Sequence, residues 1–332
     1  MKLVVSLDVE GDNQWDHGAP LTTRNVRFWP RFQDLCERHG VVPTYLLATE
    51  IVADERARDM LSSWSSRGAA EVGAHLHPWS TPPFVEAPGL RENDRLHAFP
   101  CELPAALLRE KVAVLTGQIR EAFGSSPTAF RAGRYGCDAG VARAIAEEGF
   151  VVDSSVTPLT SWRGTPGMGG GGPDFSGFTA QPFRVAGTGT PGLIELPVTV
   201  LQAYRVFDRF PALMRPYGWL PVRAFRKIVL RSYLKSQPMW LAPYPHYRPR
   251  DFALVWRRAE EAGMPVAVMN FHSSELMPGG SPFRPTPASI EDLYSCLDRF
   301  FAYVCGRGGS FSGMTSAARE VAADPGLEVR AL

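Results

Sequence analysis

Apolar residues fall along this chain in two alternating rhythms. Short runs with a period of two, or continuous over four to eight residues, predict strands at 3–8, 41–47, 71–77, 128–131, 150–154, 193–200 and 265–271. Between them, apolar positions spaced three and four apart predict helices at 26–39, 104–123, 138–148, 250–262 and 290–304. The helix at 104–123 carries the clearest punctuation. Pro104 sits in its first turn, Leu107, Leu108, Val112, Leu115 and Ile119 share one face, and Gly124 ends it. Strand and helix in alternation predict an α/β architecture with parallel strands and crossover helices.

Two stretches break the rhythm. Residues 157–192 are crowded with Gly, Pro, Thr and Ser and include the run Gly169 to Gly172, which reads as a long loop: an inert insertion or a lid. Residues 202–250 hold ten Arg or Lys and a single acid, Asp208. Within them Val222, Phe225, Val229 and Tyr233 can share one helical face while Arg223, Lys227 and Arg231 line another. That pattern fits a helix packed on the body with a solvated basic side, or a basic amphipathic segment lying on anionic lipid or gripping an anionic substrate.

Composition narrows the class. Of 332 residues, 45% are hydrophobic and 21% charged, so intrinsic disorder, collagen and coiled coil are excluded for the chain as a whole. Opposing charges nearly cancel (35 Lys+Arg, 34 Asp+Glu), and no nucleic-acid partner is expected. The five scattered cysteines, without a C-x-x-C pair, suit reduced thiols. The apolar stretch at the N-terminus is too short for an export signal, and no run is long enough to span a membrane. A cytoplasmic enzyme or binding protein is the expectation.

The candidate chemistry sits at strand ends. Asp8-Val9-Glu10 closes the first predicted strand, and period two puts both carboxylates on one face. His75-Leu76-His77 closes the third on the same logic. In a parallel α/β barrel, polar groups at the carboxyl ends of strands point into the shared mouth. Two imidazoles and one carboxylate make a three-ligand catalytic zinc set with a position left for water, and the second carboxylate is then free to act as a base. Phe130-Arg131-Ala132-Gly133-Arg134-Tyr135-Gly136 follows a further strand, and the apolar run 266–271 ends in His272-Ser273-Ser274-Glu275.

Taken in order, these motifs resemble those of the NodB-homology polysaccharide deacetylases (carbohydrate esterase family 4). Ser6 to Gly11 resembles the family's first motif, Glu71 to His77 its second, Phe130 to Gly136 its third, Gly149-Phe150-Val151-Val152-Asp153-Ser154-Ser155 its fourth and Phe271-His272 its fifth. The likeness covers residues 1–160 and 264–276. It implies a distorted (β/α) barrel of about seven parallel strands, a single domain over 1–332, with an insertion at 157–250 before the last strand. It further implies a metal-dependent deacetylase that hydrolyses an N-acetyl group on a sugar. One divalent ion, Zn2+ with Co2+, Mn2+ or Ni2+ as alternatives, would be held by Glu10, His75 and His77. Asp8 would be the base, paired with Arg131. The backbone N–H of Tyr135 would face the oxyanion, and His272, oriented by Asp153, would be the acid. Trp79, Trp162 and Tyr135 are candidate stacking surfaces for a sugar ring or else core residues, and Glu275 is a partner for the sugar hydroxyls or a cap on the strand-end turn.

The chain departs from the family pattern in three places. Its histidines are spaced H-x-H where H-x-x-x-H is usual, with Trp79 in the i+4 place; Glu10 stands where Asp is usual; and the third motif has Gly133-Arg134 where one Pro is expected. A catalytically inactive carbohydrate-binding relative, or another barrel metallohydrolase acting on C–N bonds, is the alternative. A cytoplasmic setting implies a nucleotide- or lipid-linked sugar, the latter met at a membrane face through 202–250.

Overall fold

The computed structural model describes residues 1–12, 21–84, 99–167, 171–189, 191–203 and 238–332. Its strands are β1 (Lys2–Val9), β2 (Thr44–Leu47), β3 (Glu71–Leu76), β4 (Ala129–Ala132), β5 (Val152–Asp153), β6 (Phe183–Val185), β7 (Ile194–Glu195), β8 (Val200–Leu201), β9 (Met239–Trp240), β10 (Val266–His272), β11 (Ser310–Phe311) and β12 (Val329–Arg330). Its helices are α1 (Trp29–His39), α2 (Thr49–Val52), α3 (Glu55–Ser66), α4 (Ala105–Phe123), α5 (Ala139–Glu147), α6 (Pro249–Glu261), α7 (Pro287–Gly306) and α8 (Met314–Ala322).

The main sheet runs β10-β1-β2-β3-β4-β5-β7-β6-β12, with β11 beside β1. From β10 to β7 every pairing is parallel, which makes seven parallel strands, as expected. The sheet curls back on itself. Beyond β7, Thr199 donates from its backbone to Val268 (3.1 Å) and accepts at its hydroxyl from the Val268 N–H (2.8 Å). Leu241 in turn bonds both Thr199 and Asn270. This seam brings the far end of the sheet against β10, giving the distorted barrel.

Alternation along the strands sorts the residues into two surfaces. Leu3, Val5, Leu7, Val9, Tyr45, Leu47 and Phe130 join the large core under the outer helices. Val4, Leu46, Ala129, Val152, Ile194, Val266 and Val268 form a second cluster, with Met314, Ala317, Ala318 and Val321 of α8 packed into it. The apolar inner layer therefore ends at residues 4, 129 and 268, and the next inward positions are polar: Ser6 and Asp8, Arg131, Asn270. The floor is crowded. A β-carbon on Gly73 would lie 2.5 Å from the Leu46 side chain and 2.7 Å from the Ala129 carbonyl, so only glycine fits beneath His75.

Several elements differ from the expectations. The helix expected at 26–39 begins as a 3-10 turn, Arg24–Phe28, because Pro30 is tolerated only in the first turn of α1. The strand expected at 193–200 is split into β7 and β8 around Pro197, which has no N–H for a ladder. The segment 157–192 is not an empty loop: it contains β6, buried Phe175 and Ala180, and a bridge between Ser161 and Asp174. The helix expected near 222–233 lies outside the described residues, as does most of the basic stretch. Helices α2, α3 and α8 were not expected. No helix among the described residues is long and apolar enough to cross a membrane. All five cysteines are free thiols.

Candidate metal centre and active site

Register builds the site. In the β1–β10 pair Ser6 lies beside Asn270 and Asp8 beside His272; in the β3–β4 pair His75 lies beside Arg131. Neighbours in a parallel ladder project to the same side, so residues distant in sequence converge at the carboxyl ends of four strands, where α/β sheets place ligand sites.

Glu10, just past β1, is the centre. Its Oε2 receives His77 Nε2 at 2.7 Å and lies 3.6 Å from His75 Nε2, while its Oε1 lies 3.6 Å from His272 Nε2. All but His272 are buried. His75 Nδ1 donates to the Arg131 carbonyl (2.9 Å), which turns Nε2 toward Glu10; a carbonyl fixing the distal nitrogen is the usual outer support of a metal-bound histidine. His77 lies against Trp79 with ring centroids 4.2 Å apart and planes tilted by 36°. Gly133 makes room for it, since a β-carbon there would meet His77 Nδ1 at 2.4 Å.

The donor atoms of Glu10, His75 and His77 lie within 4.8 Å of one another. Two imidazoles and one carboxylate, buried and converging, are a donor set that could hold a metal ion. Their charge states suit it. Burial pushes the Glu10 carboxyl up, but His272, His75 and His77 outweigh burial and hold it well below the usual range. Burial and the neighbouring His75 pull His77 down to about 4, so it is a neutral imidazole. Its buried Nδ1 has no hydrogen-bond partner among the described residues.

Asp8 stands beside this group. Oδ1 accepts from Arg131 Nη1 (2.8 Å) and Oδ2 from Asn270 Nδ2 (3.0 Å). Burial alone would raise its pKa; Arg131, His75 and His272 reverse the sign, and it is lowered and ionised. Arg131 is wholly buried and spends its other donors on Asn270, Ser6 and Ser154. Burial lowers the pKa of His272, but Glu10, Glu275 and Asp8 together raise it to about 9, so this ring carries a proton.

A cavity of about 390 Å³ opens over these groups, lined by Asp8, Glu10, His75, His77 and His272 on the floor and by Trp79, Arg134, Tyr135, Trp162 and Thr165 on the walls. Arg134 lies over the Trp79 ring at 4.9 Å, and Tyr135 stacks on Trp162 with centroids 5.5 Å apart. Arg134 and Tyr135 both have positive φ (50° and 59°), two successive left-handed residues that L side chains adopt only under constraint. Trp162 and Thr165 are the contribution of the 157–192 segment, Trp162 fixed by a bond from its indole to Thr157 (2.9 Å).

One expected contact is replaced. Asp153 does not serve His272: it accepts from Ser155 (2.6 Å) and lies beside Glu195 across the β5–β7 ladder. Burial raises both carboxyls, and Asp153 beside it pushes Glu195 well above the usual carboxylate range. Glu275 faces His272 instead, accepting from its N–H (3.2 Å) and lying 3.7 Å from Nδ1. Glu275 also lies 4.0 Å from Arg284 Nε, and its bond to the His272 backbone makes it the cap on the strand-end turn, one of its two expected roles. Asn270, Ser6 and Ser154 are additions. The signal for the first two was a polar residue two places before Asp8 or His272 in an otherwise apolar strand.

No protein-family model matches the chain, and no curated protein matches it. Solved structures do. A protein from Mycobacterium smegmatis assigned to the polysaccharide deacetylases superposes with a TM-score of 0.57 at 16% identity, covering 100% of this chain and 93% of the other. One from Pseudomonas aeruginosa PAO1 with the same assignment gives 0.51 at 15%, covering 98% and 92%. A PuuE allantoinase gives 0.50 at 15%, covering 98% and 90%. These likenesses establish a shared fold.

Proposed function

We propose that this chain, which has the polysaccharide-deacetylase fold, hydrolyses an N-acetyl group on a sugar with a divalent metal held by Glu10, His75 and His77. The observation that carries this reading is the meeting of that donor group with Asp8 and His272 in one cavity. When bound, the cation supplies Lewis acidity and makes water a better nucleophile at neutral pH.

The residues supply the rest. Asp8, kept ionised and aimed by Arg131, accepts the proton of the attacking water. The backbone N–H of Tyr135 faces the oxygen on which negative charge develops. His272 gives its proton to the departing amine, a necessary step because an amide anion is a very poor leaving group. Trp79, Trp162 and Tyr135 present ring faces to the pyranose. Glu275 holds His272 in place of Asp153. The Asp153–Glu195 pair buttresses the floor through Ser155, whose hydroxyl also accepts from the Ala132 N–H.

The reading is tested on chelated protein, assayed for acetate release from an N-acetylated chito-oligosaccharide before and after adding zinc. Activity restored by about one equivalent of zinc supports it; full activity in the chelated protein contradicts it. Allantoin belongs in the substrate panel because of the allantoinase likeness.

Glu275→Gln checks the acid. Amide cleavage is expected to fall about tenfold or more, while cleavage of p-nitrophenyl acetate, whose phenolate leaves without a proton, is expected to change little. Equal losses on both substrates would remove Glu275 from this role.

A further inference from the structure

We propose that Asn270 is a positioning residue that couples the base to the aromatic wall, an inference that rests on Asp8 being that base. Asn270 is buried on β10, where the preceding inward residues, Val266 and Val268, are apolar. An amide buried in such a strand costs free energy unless its bonds are made, and here three are. Nδ2 donates to Asp8 Oδ2 (3.0 Å) and to the Tyr135 hydroxyl (2.8 Å), and Oδ1 accepts from Arg131 Nη1 (2.7 Å).

The surroundings dictate which way the amide points. Reversed, its oxygen would face the Asp8 carboxylate and its NH2 the Arg131 guanidinium, two repulsive contacts in place of two attractive ones. The same group therefore reads both members of the Asp8–Arg131 pair. It closes a ring in which Arg131 holds one oxygen of Asp8 and Asn270 holds the other, and Asp8 is left one orientation.

The second donation reaches outward. Tyr135 is held in a left-handed conformation, stacks on Trp162 and lies 5.8 Å from the Trp240 ring. Anchoring its hydroxyl to the Asn270 amide fixes the ring that faces the sugar relative to the carboxylate that takes the proton. A displaced Tyr135 ring and a displaced Asp8 are thus one event, transmitted through a single side chain.

Asn270→Ala, Asn270→Asp and Tyr135→Phe are compared with wild type by acetate release, zinc content, thermal unfolding and crystallography. Asn270→Ala is expected to keep its zinc and lower kcat about ten- to hundredfold, the scale of a lost bond to a charged group. Asn270→Asp keeps the shape and the bond to Arg131 but sets a second carboxylate against Asp8, and is expected to lose more. Tyr135→Phe combined with Asn270→Ala is expected to lose no more than Asn270→Ala alone. In the crystal of Asn270→Ala, Asp8 should leave its wild-type rotamer and the Tyr135–Trp162 stack should open. A purely structural asparagine would lower the melting temperature and leave kcat of the folded protein unchanged, which overturns the proposal. Unmoved Asp8 and Tyr135 in the crystal also overturn it, whatever the activity. If wild type with zinc releases no acetate, the deacetylase reading fails, and the crystal comparison alone decides the role of Asn270.

Discussion

Asp8→Asn is expected to reduce kcat by about 10³-fold while leaving the metal in place. The size follows from the range of about 10²–10⁴ that a positioned base contributes. Retention of metal follows from geometry, because the converging donors are Glu10, His75 and His77, with Asp8 to one side. Asparagine still offers an oxygen to Arg131 Nη1, but its NH2 would confront the Asn270 NH2 that now donates to Oδ2. The loss therefore combines a missing base with a local donor–donor conflict. Acetate release and zinc content on one preparation check it. A variant with no zinc would place Asp8 among the ligands, and one with wild-type kcat would remove it from the chemistry.

Arg131→Met is expected to be the most destabilising change in the site, by about 3–5 kcal/mol, the usual consequence of removing one partner of a buried ion pair. Arg131 makes five hydrogen bonds, and its loss strands the buried Asp8 carboxylate and leaves Asn270 Oδ1, Ser6 and the Ser154 carbonyl short of a donor. Methionine fills similar volume, so the effect reports on charge and bonding more than on a cavity. Combining Arg131→Met with Asp8→Asn should recover part of the loss, since the stranded charge is then gone. Denaturant unfolding of the two single variants and the double checks both statements. A drop under about 1 kcal/mol for Arg131→Met, the scale of an exposed pair, would mean that the pair is far better solvated than its burial indicates.

The parts of this site that repeat with a strand's own period were legible in the sequence. Asp8 and Glu10, and likewise His75 and His77, announce a shared face at the end of an apolar run, and His272 ends the run that pairs with β1. What failed was information held in the third dimension. Asp153 and Glu275 are both carboxylates near the expected acid in the motif order, and only the fold shows Glu275 at the His272 ring and Asp153 turned to Ser155 and Glu195. Trp162 lies in a Gly/Pro-rich segment whose composition says loop, and reaches the cavity through tertiary packing.

Among the elements, α3 was readable in principle. Asp54 caps it by accepting from Ala57 N (2.9 Å), and Ala57, Leu61 and Trp64 share the buried face at i, i+4, i+7. Helix α8 was harder to read: it is only nine residues long, so its apolar spacing hardly repeats, and its buried face of Met314, Ala317, Ala318 and Val321 is half alanine. The inward-facing polar layer, Ser6, Arg131 and Asn270, was hidden because each residue alone looks like an interruption of a strand.

The most direct test is an anomalous-difference map from crystals of the zinc-loaded protein, recorded at the zinc edge. The expected result is one strong peak at about 2.0–2.2 Å from a Glu10 oxygen and a ring nitrogen each of His75 and His77, the bond lengths of zinc to these donors, with Asp8 still bound to Arg131 beside it. No peak among those three side chains after zinc loading, or a peak only elsewhere on the protein, would contradict it.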